Sequence, residues 1–196
     1  MLLTATSTDR VIHVLAFAGS LRRNSYNRAA LRAAAELLPA GMTMETFDLS
    51  PVPVYNEDVE TEGFPAPVQE FKARIAAADA LLIATPEYNY SIPGVLKNAL
   101  DWASRPPGRS PLAGKPVAFM GASTGYFGTA RAQYHLRQVC VILDMHPLNG
   151  PEVFIPAAQT KFDENGRLTD GRTRESIGRL LTALRTWTIR LQPGIG

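Results

Sequence analysis

Short apolar runs alternate with segments of helical periodicity along almost the whole chain, and this alternation limits the fold more than any other feature. Residues 11–18 (VIHVLAFA), 80–85 (ALLIAT) and 116–122 (PVAFMGA) are nearly continuous apolar runs, as expected for strands covered on both faces. Residues 42–49 alternate loosely and read as a further strand, and 146–155 read as a short, interrupted last one. Between them, Leu31, Ala34 and Leu38 share a helical face in a segment from Ser25 to Leu38 that Pro39-Ala40-Gly41 closes. Val68, Phe71, Ile75 and Ala78 mark a second helix. Leu96, Ala99, Leu100 and Ala103 mark a third, with Pro93 in its first turn. Leu136, Val139, Cys140 and Leu143 mark a fourth. Ile177, Leu180, Leu181, Leu184, Trp187 and Leu191 mark a long C-terminal helix. The order predicts an α/β fold: a doubly wound, five-stranded parallel sheet with helices on both faces. Residues 50–67, with prolines at 51, 53, 65 and 67, read as a long loop, and 105–114 as another.

A chain of 196 residues is long enough to bury one substantial core, so residues 10–196 are expected to form a single domain behind a disordered tail at 1–9. Net charge is +2 with no Lys/Arg run, which argues against a nucleic-acid partner. No apolar stretch is long enough to span a bilayer, so no membrane role is expected. Cys140 is the only cysteine, which excludes an intrachain disulfide and a CxxC zinc or redox motif and suits a reducing cytoplasm.

In open parallel sheets, ligands bind outside the carboxyl ends of strands where strand order reverses. The loops after the first, third and fourth strands are therefore the candidate site. Residues 19–27 (GSLRRNSYN) lead from the first strand into a helix, whose N-terminus offers free N–H groups and the positive dipole end. The Ser20 and Ser25 hydroxyls, the Arg22 guanidinium and the Asn27 amide add side-chain partners suited to the three oxygens of a terminal phosphate monoester. Neither GxGxxG nor GxxxxGK[ST] occurs at this turn, which argues against a pyrophosphate or triphosphate ligand. Residues 85–94 (TPEYNYSIPG) form a proline-braced, aromatic-rich loop, in which backbone groups and Asn89 suit the polar rim of a flat ring. Residues 121–128 (GASTGYFG) form a glycine-rich turn permitting close backbone approach.

The motifs GSLRRNSYN at 19–27, PEYNYSIPGVLKNALDWASRP at 86–106 and ARAQYHLRQ at 130–138 resemble the flavodoxin-like NAD(P)H-dependent FMN reductases, which include bacterial chromate and quinone reductases. The resemblance implies strand order 2-1-3-4-5. It implies FMN as cofactor, its phosphate on Ser20, Arg22, Ser25 and Asn27, its ribityl chain and ring along Pro86, Glu87, Tyr88 and Asn89, and its far edge closed by Ser123 and Gly125. It also implies a hydride taken from NADPH or NADH and passed to quinones, nitro or azo compounds, metal oxyanions or free flavin, and a homodimer that can pair into a homotetramer. Tyr126 and Phe127 are bulkier than the glycine-rich form of this loop in some relatives and would narrow the substrate space.

No Ser-His-Asp or Cys-His set is evident, and the chemistry would be the flavin's. His135 is expected to be a packed or surface histidine. Arg131, Tyr134 and Arg137 share a helix face expected to meet another subunit, with Glu152 as the partner of Arg131. Arg105 and Arg109 are candidates for a nucleotide 2′-phosphate. Two other readings keep the flavin and lose the enzyme: an electron carrier of the flavodoxin type, which is usually acidic, and a flavin-binding stress regulator with negligible turnover.

Overall fold

The computed structural model describes residues 10–192; the tail expected at 1–9 lies outside the described residues. In chain order the elements are β1 (Ile12–Ala18), α1 (Tyr26–Glu36), β2 (Met42–Phe47), α2 (Glu57–Glu62), α3 (Ala66–Ala77), β3 (Ala80–Ala84), α4 (Gly94–Ala103), β4 (Pro116–Ala122), α5 (Ala130–Ile142), β5 (His146–Pro147), β6 (Val153–Ile155), a 3₁₀ turn at Ala158–Thr160 and α6 (Gly171–Leu191). The strands run in the order β2-β1-β3-β4-β5, all parallel, and β6 also pairs with β4. This is the doubly wound order expected. The last strand is interrupted as expected, with β5 and β6 meeting β4 at opposite ends.

The sheet is covered on both faces, and alternate side chains divide between two cores. Ile12, Val14 and Ala16 of β1 join α1 and α6 on one face. Leu15 and Phe17 join α3, α4 and α5 on the other. The face under α1 is rich in alanine: Ala16, Ala18, Ala84 and Ala122 from the strands meet Ala29, Ala30, Ala33 and Ala34 from the helix. Such small side chains let helix and sheet approach closely. The N-terminus of α1 consequently sits against the carboxyl ends of β1, β3 and β4.

Two local features differ from expectation. Residues 57–62 are helical within the stretch read as loop. Helix α2 buries no residue, so it lacks the apolar periodicity that would betray it. It is held by its Asn56 cap and by Glu57, Asp58 and Glu60 near the positive dipole end. Strand β2 stops at Phe47, and the chain then crosses α4, where Pro53 accepts hydrogen bonds from Trp102 Nε1 (2.9 Å) and Asn98 Nδ2 (2.8 Å). No helix among the described residues is long and apolar enough to cross a membrane. Cys140 is buried, and desolvation pushes its thiol up to about 12.

Helix α6 begins with Asp170 as its cap, accepting from the Thr173 N–H at 2.9 Å and from the Thr173 hydroxyl. These hydrogen bonds hold the carboxyl below its ordinary value. A depressed carboxylate stabilises the fold above its unfolded pKa of ~3.9, and the contribution disappears as pH falls through the folded value. Asp170→Ala is expected to cost about 1 kcal/mol at neutral pH. Paired chemical denaturations from pH 7 to pH 3 should show the difference from wild type shrinking in acid; a difference independent of pH would count against the charged cap.

Candidate flavin site

Three loops converge at the carboxyl end of the sheet. Ser20, Arg22, Ser25, Tyr26 and Asn27 come from the β1–α1 loop and the start of α1, Pro86, Glu87 and Tyr88 from the β3–α4 loop, and Ala122, Ser123 and Thr124 from the end of β4. Together they line a cleft of about 500 Å³, counting its open mouth.

The β1–α1 loop is pinned from below. Gly19 donates its N–H to Ala84 O at 2.9 Å, and a side chain there would meet Pro93 Cγ at 2.9 Å and Leu96 Cβ at 3.1 Å. Only glycine lets this loop pack against the prolines that brace the β3–α4 loop. Ser25 caps α1, its hydroxyl accepting from the N–H groups of Asn27 (3.2 Å) and Arg28 (3.4 Å), which leaves its own proton free to donate outward. Ser20 is 5% exposed, and its hydroxyl makes no hydrogen bond to the described residues. The N–H groups of Leu21, Arg22, Arg23 and Asn24 have no backbone partner among the described residues. Unspent donors, a guanidinium and a helix N-terminus form a donor set that suits a doubly charged phosphate monoester.

Asn27 does something else. Its Nδ2 donates to Ala122 O at 2.9 Å, and Ala122 N–H donates to its Oδ1 at 2.8 Å. The side chain thus pairs with the end of β4 as a neighbouring strand would. Its Oδ1 and one Nδ2 proton are committed to this clamp between α1 and the sheet, while the residue still lines the cleft with its second amide proton unspent.

Glu87 is likewise committed to protein. Helix α5 starts at Thr129, a left-handed residue that supplies no side-chain cap. The Glu87 carboxylate fills that place from the other loop, accepting from the N–H groups of Arg131 (3.0 Å) and Ala132 (3.2 Å) while pairing with the Arg131 guanidinium. Its side chain is 6% exposed, so only its backbone is left for a ligand. Arg131 in turn stacks against the rings of Tyr90 (3.6 Å) and Phe127 (4.4 Å), joining the β3–α4 and β4–α5 loops. The subunit pairing expected between Arg131 and Glu152 therefore meets a competitor within the chain. Glu152 lies elsewhere, in a shallow cleft with Lys161 and Arg172.

Residues 88–91 form a two-residue turn closed by reciprocal Tyr88–Ser91 backbone bonds of 3.0 Å, with Asn89 at φ 50° and Tyr90 at φ 69°. A tyrosine in the left-handed region carries strain on the order of 1 kcal/mol. Stacking on Arg131 offsets it. The turn leaves the N–H groups of Asn89 and Tyr90 without backbone partners among the described residues. On the opposite wall, Ser123 O accepts from Ala158 N–H (3.0 Å), and Ser123 Oγ accepts from Gly125 N–H (3.0 Å), which shapes a tight turn.

Sequence reasoning placed all three loops and missed the lining residues Tyr26, Ala122 and Thr124, whose types carry no signal outside the fold. Arg105 and Arg109 are not brought here. They follow α4, whose N-terminus faces the cleft, so the helix carries them to the far end of the sheet. His135 is exposed, with Nδ1 3.0 Å from Ser91 Oγ, away from the cleft.

Comparison with known proteins agrees with this geometry. The family model for NADPH-dependent FMN reductases matches residues 12–160. The chain is 60% identical over 181 residues to an NAD(P)H-dependent FMN reductase of Pseudomonas aeruginosa, covering 92% of this chain and 97% of that one. It is 47% identical over 188 residues to an NAD(P)H:quinone oxidoreductase of Solanum tuberosum, covering 93% and 95%. Among solved structures, the flavoenzyme NAD(P)H:(acceptor) oxidoreductase FerB of Paracoccus denitrificans superposes with a TM-score of 0.84 at 33% identity, covering 92% of this chain and 98% of that one. The family match over most of the chain and these likenesses lead to one conclusion: the chain belongs to the family of NADPH-dependent FMN reductases, oxidoreductases that pass hydride from NAD(P)H to FMN.

Proposed function

We propose that the cleft holds FMN with its phosphate on the β1–α1 loop and that the enzyme delivers electrons to quinones. The observation that carries the reading is the set of unspent donors around Ser20, Arg22 and Ser25, at the helix start beside a slot lined by Pro86, Tyr88, Ser123 and Thr124, with Asn89 and Gly125 next along the chain. When bound, FMN accepts hydride from the nicotinamide and supplies electrons to the acceptor. The protein's part is placement and electrostatics. Pro86 stiffens one wall, and Asn27 and Glu87 fix the loops from behind. The N–H groups of Asn89 and Tyr90 are suited to hold negative charge gathered on the polar rim of the ring.

The acceptor is favoured by the mouth of the cleft. Tyr126, two residues beyond the cleft-lining Thr124, is 88% exposed and meets Phe127 edge-on at 5.7 Å, offering a free aromatic face on which a flat quinone can stack. The quinone reductase from Solanum tuberosum supports the same choice. A carrier without turnover is disfavoured by the net charge of +2, which lacks the acidic surface such proteins use for docking.

In this reading the enzyme works in the cytoplasm, whose reducing conditions suit a chain with a single, free thiol. It is a homodimer in this reading. Val141 and Ile142 at the end of α5 stand exposed beside an apolar groove between α4 and α5 that includes Ile92 and Val139, and Tyr134 lies on the same helix. Light scattering should give twice the chain mass. The purified protein is expected to carry the absorbance of bound flavin, to bleach on anaerobic addition of NADPH or NADH, and to recover colour with a quinone. Protein that never retains FMN, or whose flavin is not bleached by either nucleotide, would sink the proposal.

A further inference from the structure

A second cleft adjoins the flavin site and is used by nothing described so far. It lies between α1 and the edge strand β2, occupies about 880 Å³ including its mouth, and shares Ser20 with the flavin cleft. Its floor is apolar, from Leu31, Ala35 and Met44, and its rim carries Arg28, Arg32 and one carboxylate, Asp48, leaving a net positive charge.

Both arginines are poorly compensated. Arg28 faces Asp48 at 3.6 Å, well beyond the ~2.7–2.9 Å of a charge-assisted hydrogen bond, and its side chain is 38% exposed. Arg32 has no carboxylate partner among the described residues; its Nη2 donates only to the Gly166 carbonyl at 3.2 Å. Gly166 sits in a turn at φ +71°, and a Cβ there would lie 2.9 Å from Arg32 Nη2. The missing side chain is what lets the guanidinium rest at this position. A carbonyl orients the head group without neutralising it.

We infer that this cleft takes the adenosine end of NADPH, with Arg28 and Arg32 holding its 2′-phosphate. The inference rests on the oxidation of NAD(P)H and adds where the far half of the nucleotide lies. The nicotinamide must reach the reacting ring in the flavin cleft. Ser20 is common to both clefts, so they meet at the end of the flavin cleft where the FMN phosphate is placed, and a dinucleotide lying over the bound flavin, with its nicotinamide on the ring, enters the second cleft by passing above that phosphate and the exposed Arg22 and Arg23. The adenine ring suits an apolar floor with a methionine thioether. A dianionic phosphate suits paired guanidinium groups, which can grip it through two hydrogen bonds each. NADH lacks that phosphate, so the arginines select NADPH.

The test uses the FMN-loaded enzyme, with 2′,5′-ADP and 5′-ADP as calorimetric probes. Wild type should bind 2′,5′-ADP at least about tenfold more tightly than 5′-ADP, the scale of one charge-assisted pair. Arg32→Gln should remove that preference and raise KM for NADPH about tenfold while KM for NADH changes by less than about twofold. Ala35→Trp, at an exposed position of α1, should fill the cleft, abolish 2′,5′-ADP binding and leave FMN content and melting temperature intact. Equal binding of the two probes, no effect of Arg32→Gln, or equal rises in both KM values would each overturn the assignment, as would undiminished 2′,5′-ADP binding in Ala35→Trp. Should neither nucleotide be oxidised, the proposed activity fails, and the calorimetry still decides the cleft.

Discussion

Asn27→Ala is expected to destabilise the protein by about 2–5 kcal/mol, because it strips hydrogen bonds from two buried backbone groups at once. The Ala122 N–H and C=O both lie at the buried end of β4, and both are satisfied only by the Asn27 amide among the described residues. A buried peptide group left unpaired costs about 1–3 kcal/mol, and the smaller alanine leaves too little polar surface to order a replacement. Against a total stability of roughly 5–15 kcal/mol, the loss is large. For a chain of this size it corresponds to a fall in melting temperature of roughly 10 °C. The measurement belongs on the apoprotein, where no ligand contributes. Asn27→Asp should rank between wild type and alanine, keeping the acceptor for Ala122 N–H while losing the donor. An apoprotein melting as wild type does, with only FMN affinity reduced, would return Asn27 to the phosphate and refute the clamp.

That residue also shows where reading the chain stops. The strands at Ile12–Ala18, Ala80–Ala84 and Pro116–Ala122 were legible because burial on both faces leaves continuous apolar runs. The three site loops were legible because parallel topology dictates which strand ends meet a ligand. Side-chain partners were not. Asn27 and Ala122 are separated by 95 positions, and Glu87 and Arg131 by 44. Local pattern marks each as a polar residue in a loop or first turn, and it cannot distinguish one aimed at a ligand from one that holds two loops together. Helix α2 was hidden for a related reason: a helix with no buried face leaves no period in the sequence. Arg105 and Arg109 show the reverse failure, since their charge is plain in the sequence while their distance from the cleft depends on the direction of α4.

The same distinction makes Arg22 the sharpest test of the flavin site. It lines the cleft, is exposed, and its side chain makes no hydrogen bond or ion pair to the described residues. A residue holding the fold would have partners, as Asn27 and Glu87 do. Arg22→Ala is therefore expected to leave the apoprotein's melting temperature unchanged and to weaken FMN binding about 100-fold, the size of a lost charge-assisted phosphate contact of roughly 3 kcal/mol. Riboflavin, which carries the ring and ribityl chain without phosphate, should bind wild type and variant alike. The wild-type preference for FMN over riboflavin should narrow as salt is raised, because an exposed arginine–phosphate pair is screened. Arg22→Lys should recover part of the affinity, since lysine restores the charge without the paired geometry of the guanidinium. Fluorescence titration of apoprotein with both flavins reads all of these. Equal losses for FMN and riboflavin would mean that Arg22 shapes the slot rather than binding phosphate, and unchanged FMN affinity would remove it from the site.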